Sequence, residues 1–320
     1  MDAKCAWCGE KIQPGDICPA CGADYEKAAA IKAGKKATTS ETETSAKRKR
    51  RKNTKTQEKS ADWEHVKDPT FEFRLCMIVL PAFLLFWLLV YATGFGKGFQ
   101  AIVFGMPIHE LGHALAGWFC GYTSVPTVWK TLTPESRGFI APLVVFGGLG
   151  YWGYLSFTKK QLGFVVLCVL LFILQLIGTL GLEKKLSRMV VVFSGEGLGM
   201  VIAVGLMATF FFGKSTQLYK GWLRWGFVCI GDAAFIDIFV PWIQALSDTT
   251  FVRLGEQEGT HSDAYKMLYY HGWKMDELIN TYVRLGTICS IVIGLFYWRG
   301  CLFARKQIQL AGASTPEQSE

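Results

Sequence analysis

The sequence predicts a mainly α-helical membrane protein, a polytopic bundle of about six or seven transmembrane helices behind a small cysteine-knuckle module. Three observations carry that reading. The chain of 320 residues is 51% hydrophobic, with a mean hydropathy of +0.24, which is high for a soluble domain. From Phe71 onward the apolar residues come in long blocks, whereas the residues before it are polar and rich in cysteine. The net charge of +8 is uneven, with a cluster at Lys47, Arg48, Lys49, Arg50, Arg51 and Lys52 just ahead of the first block. Four regions follow: 1–25, 26–68, 69–300 and a tail, 301–320.

Residues 1–25 contain two CxxCG turns, Cys5–Cys8 and Cys18–Cys21, each closed by a glycine (Gly9, Gly22), with nine residues between them. Glycine lets the backbone turn under paired thiolates, and two such knuckles supply one tetrahedral four-cysteine zinc site. A segment this short cannot bury a core, so the metal would supply its folding energy. A CxxC redox pair is the weaker reading, because no thioredoxin-like βαβ context surrounds it. The pattern resembles the small zinc-ribbon modules at the N-termini of many prokaryotic membrane proteins. Such a ribbon has room for a cytosolic protein partner. The other six cysteines lie within or beside apolar segments, so neither use needs an oxidising compartment. The N-terminus carries no early apolar run of the signal-peptide kind, and it is expected in the cytoplasm.

Residues 26–68 read as a polar linker without helical periodicity. Its basic run could bind nucleic acid. A polybasic segment beside a membrane helix is better explained as holding the cytosolic side and touching anionic lipid.

The apolar blocks come in order at about 74–94, 100–122, 139–157, 162–182, 189–212, 222–246 and 278–298. Pro81 predicts a kink in the first, and Pro107 a break or restart in the second. Gly195, Gly197 and Gly199 predict a close helix crossing in the fifth. The basic cluster before the first block places the N-terminus inside, and Arg299, Arg305 and Lys306 place the C-terminus inside as well. Seven crossings cannot satisfy both, so one block is expected to be re-entrant or not to span.

The block at 100–122 carries His109, Glu110 and His113 as HExxH. On a helix, positions i and i+4 share a face, so both imidazoles can reach one ion. Glu110 can reach a water on that ion without being a ligand. This is the arrangement of zinc-dependent hydrolysis: two neutral histidines, a third protein ligand, an open position and a carboxylate base. A charge at the centre of a membrane helix costs about 2.5–3.5 kcal/mol on insertion scales. Three ionisable groups within five residues therefore need compensation. A polar network gluing helices together is the plainer alternative to a metal.

Carboxylates available as the third ligand are Glu196, Asp232, Asp237, Asp248 and Asp263. Asp263 could equally be a helix cap, and Asp232 or Asp237 could bond a neighbouring helix or pair with Arg284.

HELGHALAG within an apolar block resembles the site-2 protease family of intramembrane zinc metalloproteases. The resemblance implies His109 and His113 as zinc ligands and Glu110 as general base, acting on the peptide bonds of a transmembrane protein substrate. Family members draw the third ligand from a downstream Asp, often in Asp-Gly. This chain has no Asp-Gly, and Ser262-Asp263-Ala264 is the stretch that looks like a divergent counterpart. The resemblance therefore selects Asp263, with Asp232 next and Glu196 as a variant. Two other classes remain beside the protease: a non-proteolytic scaffold or regulator that keeps the metal-site fold, and a tethered binding module working through the ribbon.

Overall fold

The computed structural model describes residues 69–212, 223–257 and 260–313 and the isolated positions 11 and 17. The chain divides into two units, 1–65 and 66–320. Cys5, Cys8, Cys18 and Cys21, and with them the predicted ribbon and the linker, lie outside the described residues.

The second unit is mostly helical. In order it comprises α1 (Pro69–Ala92), α2 (Gly94–Gln100), a π-turn (Ala101–Gly105), α3 (Met106–Phe119), β1 (Val125–Pro126) and β2 (Thr131–Leu132). There follow α4 (Ile140–Thr158), α5 (Leu162–Leu176), α6 (Lys184–Ala208) and α7 (Leu223–Ala245). The chain ends in β3 (Glu256–Gln257), β4 (Thr260–His261), α8 (Asp263–Tyr269) and α9 (Met275–Ala313).

Among the described residues, six helical stretches, over α1, α4, α5, α6, α7 and α9, are long and apolar enough to cross a membrane. The block at 100–122 is the one that falls short, because α3 has only 14 residues. The cause is visible next to Pro107. Proline offers no N–H to the preceding turn and its ring crowds that turn. The helix responds by widening: the N–H of Met106 bonds the carbonyl of Ala101, five residues back, and α3 restarts with Pro107 in its first turn. Pro81, by contrast, sits inside a continuous α1.

α7 is the centre of the bundle, with 67% of its most apolar window buried against 17% for α5. It is apolar on every side, as a helix surrounded by others must be. The main core joins Val79 and Leu80 of α1, Met200 and Met207 of α6, Val228, Phe235 and Ile238 of α7, and Leu278 and Tyr282 of α9. An Arg224–Glu72 ion pair (2.8 Å), shielded from solvent, ties the start of α7 to the start of α1. α4 and α5 pack on each other and leave Leu143, Val144, Phe157, Val169 and Leu170 exposed. Apolar faces this extensive suit lipid, as in a multi-pass membrane protein.

A candidate metal centre

α3 and α6 cross closely because glycine removes side chains at the crossing. A Cβ on Gly195 would lie 2.5 Å from Cε1 and Nε2 of His113 and 2.7 Å from Cε1 of His109. Gly112 meets the same stretch of α6 from the other side, against the carbonyls of Ser194 and Gly195. The two imidazoles therefore stand directly on the α6 backbone. α3 ends cleanly just beyond them. Gly121 takes φ +86°, and the N–H of Tyr122 reaches back to the carbonyl of Gly117 (2.8 Å).

The third group comes from 150 residues downstream of His113. The β3–β4 hairpin turns the chain after α7, Ser262 N–H bonds the carbonyl of Gly255 (3.0 Å), and α8 then opens with Asp263. The N-cap role falls to Ser262, whose hydroxyl accepts from the N–H of Tyr265 (3.3 Å). That frees the Asp263 carboxylate. Its Oδ2 lies 2.9 Å from His109 Nε2 and 2.7 Å from His113 Nε2, and the two histidine nitrogens are 3.0 Å apart. His109, His113 and Asp263 thus form a group that could hold a metal ion.

The chemistry of the donors fits a cation. His113 Nδ1 lies 2.6 Å from the carbonyl of Val191, a partner that demands an N–H there. In the neutral ring Nε2 is then an acceptor, facing the acceptor Oδ2 at 2.7 Å. Two lone pairs at that separation repel unless a positive charge lies between them. Ligand atoms around a tetrahedral zinc stand about 3.3 Å apart, so a small outward relaxation admits the ion. The Asp263 carboxylate is largely shielded from solvent, where an anion needs a cationic partner. Its other oxygen, Oδ1, accepts from Lys266 Nζ at 3.1 Å, one helical turn on.

Glu110 is buried on α3 beside His109, and its main-chain carbonyl accepts from the Thr131 hydroxyl (2.8 Å). This pins the β1–β2 hairpin, inside the polar 123–137 loop, to the metal helix.

The remaining carboxylates have other roles. Asp237 pairs with Arg253 (3.1 Å), not with Arg284, which lies on the exposed side of α9. Asp248 accepts from the N–H of Thr250 (2.9 Å) at the surface. Asp232 is fully buried in α7 with neither carboxylate oxygen hydrogen-bonded. Glu196 is held by the indole N–H of Trp242. Among the described residues only His109, His113 and Asp263 converge in this way.

Sequence reasoning missed Val191, Lys266 and Trp242. Lys266 had a signal, since it lies three residues after Asp263 on a predicted helix. Val191 had none, because it acts through its main chain. No family model, no curated protein and no solved structure matches the chain.

Proposed function

We propose that the chain is a membrane-embedded zinc metalloendopeptidase of the site-2 protease kind, hydrolysing peptide bonds within membrane proteins. The observation that carries this reading is the meeting of His109, His113 and Asp263 beside the buried Glu110. Zinc bound by these residues would supply Lewis acidity, acidifying a water and drawing charge from a peptide carbonyl. Glu110 takes the proton of the attacking water and delivers it to the departing nitrogen. Val191 fixes the His113 tautomer, and Lys266 holds Asp263 by its outer oxygen, so that a single oxygen faces the centre. The substrate is an apolar segment that has locally unwound, since a carbonyl bonded within a helix is poorly exposed to attack. Water and substrate enter past the β1–β2 hairpin and the loop that carries Asp263.

The four-cysteine ribbon belongs to the same proposal as a structural zinc site and an attachment point for a cytosolic protein, with the basic run resting on anionic lipid. An even number of crossings would suit basic residues flanking both ends of the bundle, in keeping with a cytoplasmic N-terminus.

The test is cleavage of a transmembrane reporter by the purified full chain in detergent or vesicles. Glu110→Gln is expected to keep its metal and lose cleavage by at least about a hundredfold. Full activity in that variant removes Glu110 from its role. A metal-loaded wild type that cleaves nothing in a panel of membrane-protein segments favours the scaffold reading.

A further inference from the structure

A recess opens beside the metal group, with His109 as a shared wall. Besides His109 its polar lining is Glu196, Asp237 and Arg253, with Trp242 at one side. It encloses about 360 Å³ counting its open mouth. Much of that is open mouth; the enclosed part is narrow, enough for the head of one side chain and too little for a helix about 10 Å across.

Among the described residues, one carboxylate of the recess lining forms no ion pair of its own. Asp237 is buried, and Arg253 reaches it from the rim at 3.1 Å, so those two neutralise each other. Glu196 is left with a neutral donor, the indole N–H of Trp242. One N–H fills one of about four acceptor positions on a carboxylate. The donor is also fixed. Trp242 stacks on Tyr282 (4.4 Å between centroids), Tyr282 stacks on Phe193 (4.7 Å), and the Tyr282 hydroxyl donates to the Phe193 carbonyl (3.1 Å). Glu196 therefore sits on a rigid wall, partly buried, with unfilled acceptor capacity facing the recess.

We infer that this recess is a side-chain subsite for lysine or arginine in the substrate, and that Glu196 is its specificity-determining residue. The inference rests on the proteolysis reading. The aliphatic stem of the incoming residue lies along Met106 and Ile238, which also line the recess, and its cationic head meets Glu196. Because His109 is common to both sites, the selected residue falls close to the bond that is cut. An acidic side chain is disfavoured, since Arg253 is already engaged by Asp237 and Glu196 repels an anion. Membrane proteins supply suitable segments, because lysine and arginine flank their transmembrane helices on the cytoplasmic side.

The experiment uses the full-length Glu110→Gln chain, metal-loaded in detergent, and fluorescent peptides identical except for one scanned position bearing Lys, Met or Glu. Binding is read by anisotropy. The Lys peptide is expected to bind about tenfold more tightly than the Met peptide at one position. Glu196→Gln should abolish that difference, and Glu196→Lys should transfer the preference to the Glu peptide. Should Glu196→Gln fail to load metal, Phe251→Lys takes its place. It puts an ammonium at the partly exposed Phe251 on the recess wall and should likewise erase the Lys preference. Equal binding of Lys and Met peptides, or a preference that survives these variants, overturns the subsite. The two readings separate in the active chain. Cleavage without a Lys preference defeats the subsite alone, whereas Glu196-dependent Lys binding without cleavage of any peptide defeats the proteolysis reading alone.

Discussion

His113 donates its Nδ1 proton to the main-chain carbonyl of Val191 across 2.6 Å, and this single bond leaves its Nε2 free to act as a ligand. It commits the neutral imidazole to the tautomer whose Nε2 lone pair faces His109 and Asp263. A main-chain partner cannot be deleted by substitution, so the helix crossing that brings Val191 to His113 has to be tested through its glycines.

Gly195→Ala is expected to empty the membrane site. The added Cβ would stand 2.5 Å from His113 Nε2, closer than real Cβ contacts come, and α6 backbone cannot retreat without opening the crossing. Metal content measured on purified protein should drop by one ion per chain. Helicity by circular dichroism should hold, since alanine favours a helix more than glycine does. Retention of the ion at wild-type affinity would mean that the crossing is looser than the structure has it.

The parts of this site that were legible in the sequence are those encoded by local spacing. His109, Glu110 and His113 fall on one helical stretch by periodicity alone, and the glycines at 195, 197 and 199 announce a close approach. The identity of the third ligand was not fixed by local spacing, because five carboxylates lay downstream in similar surroundings. What separates them is long-range: the hairpin that returns the chain, Ser262 taking the cap, and Arg253 claiming Asp237. That one of the seven blocks would not span was legible from the charge balance, but which one was not, for a local reason that composition hides. Pro107 forces a wide turn and shortens the metal helix, although the apolar run on either side of it is long enough to span.

Lys266→Met should weaken metal binding about 10- to 100-fold without unfolding the bundle. Lys266 holds Oδ1 of Asp263, and without it the carboxylate is free to rotate or to present both oxygens. Lys266→Arg should recover most of the loss. X-ray absorption on the cobalt-substituted protein would read the change as a longer or additional metal–oxygen distance. An unchanged affinity in Lys266→Met would reduce the 3.1 Å contact to a surface pair.

Arg253→Gln should lower stability by about 1–2 kcal/mol. Losing the partner of a buried carboxylate commonly costs more, but the Arg253 side chain is 45% exposed and water moderates the loss. The double variant with Asp237→Asn should recover much of it, since no unpaired charge then remains. Thermal melting of the four proteins gives the coupling directly, and purely additive effects would show that the pair contributes nothing.

Asp232→Leu should stabilise the protein or leave it unchanged, and should leave the metal in place. A fully buried carboxyl with no hydrogen bond on either oxygen is a net cost, and a leucine of similar reach replaces it with packing. This separates Asp232 from Asp263, the two carboxylates closest in standing before the fold was known. Loss of the membrane-site ion in Asp232→Leu would return Asp232 to the ligand set.

Metal stoichiometry ties both proposed zinc sites to one measurement. Wild-type chain purified in detergent should carry two ions. Cys5→Ser/Cys8→Ser should lose one and keep cleavage chemistry intact in the bundle. His109→Ala and Asp263→Ala should each lose the other, since removing any one of three ligands leaves too few donors to hold an ion at micromolar concentration. Chelation should distinguish the sites by their consequence. Stripping the four-cysteine site should unfold a segment too short to have a core, a change visible by proteolysis of residues 1–25. Stripping the membrane site should leave the bundle folded, because its stability resides in the packing of α1, α3, α6, α7 and α9 and not in the ion. A single ion in the wild type, absent only from the cysteine variant, would leave His109, His113 and Asp263 without metal and would favour the scaffold reading over the proposed protease.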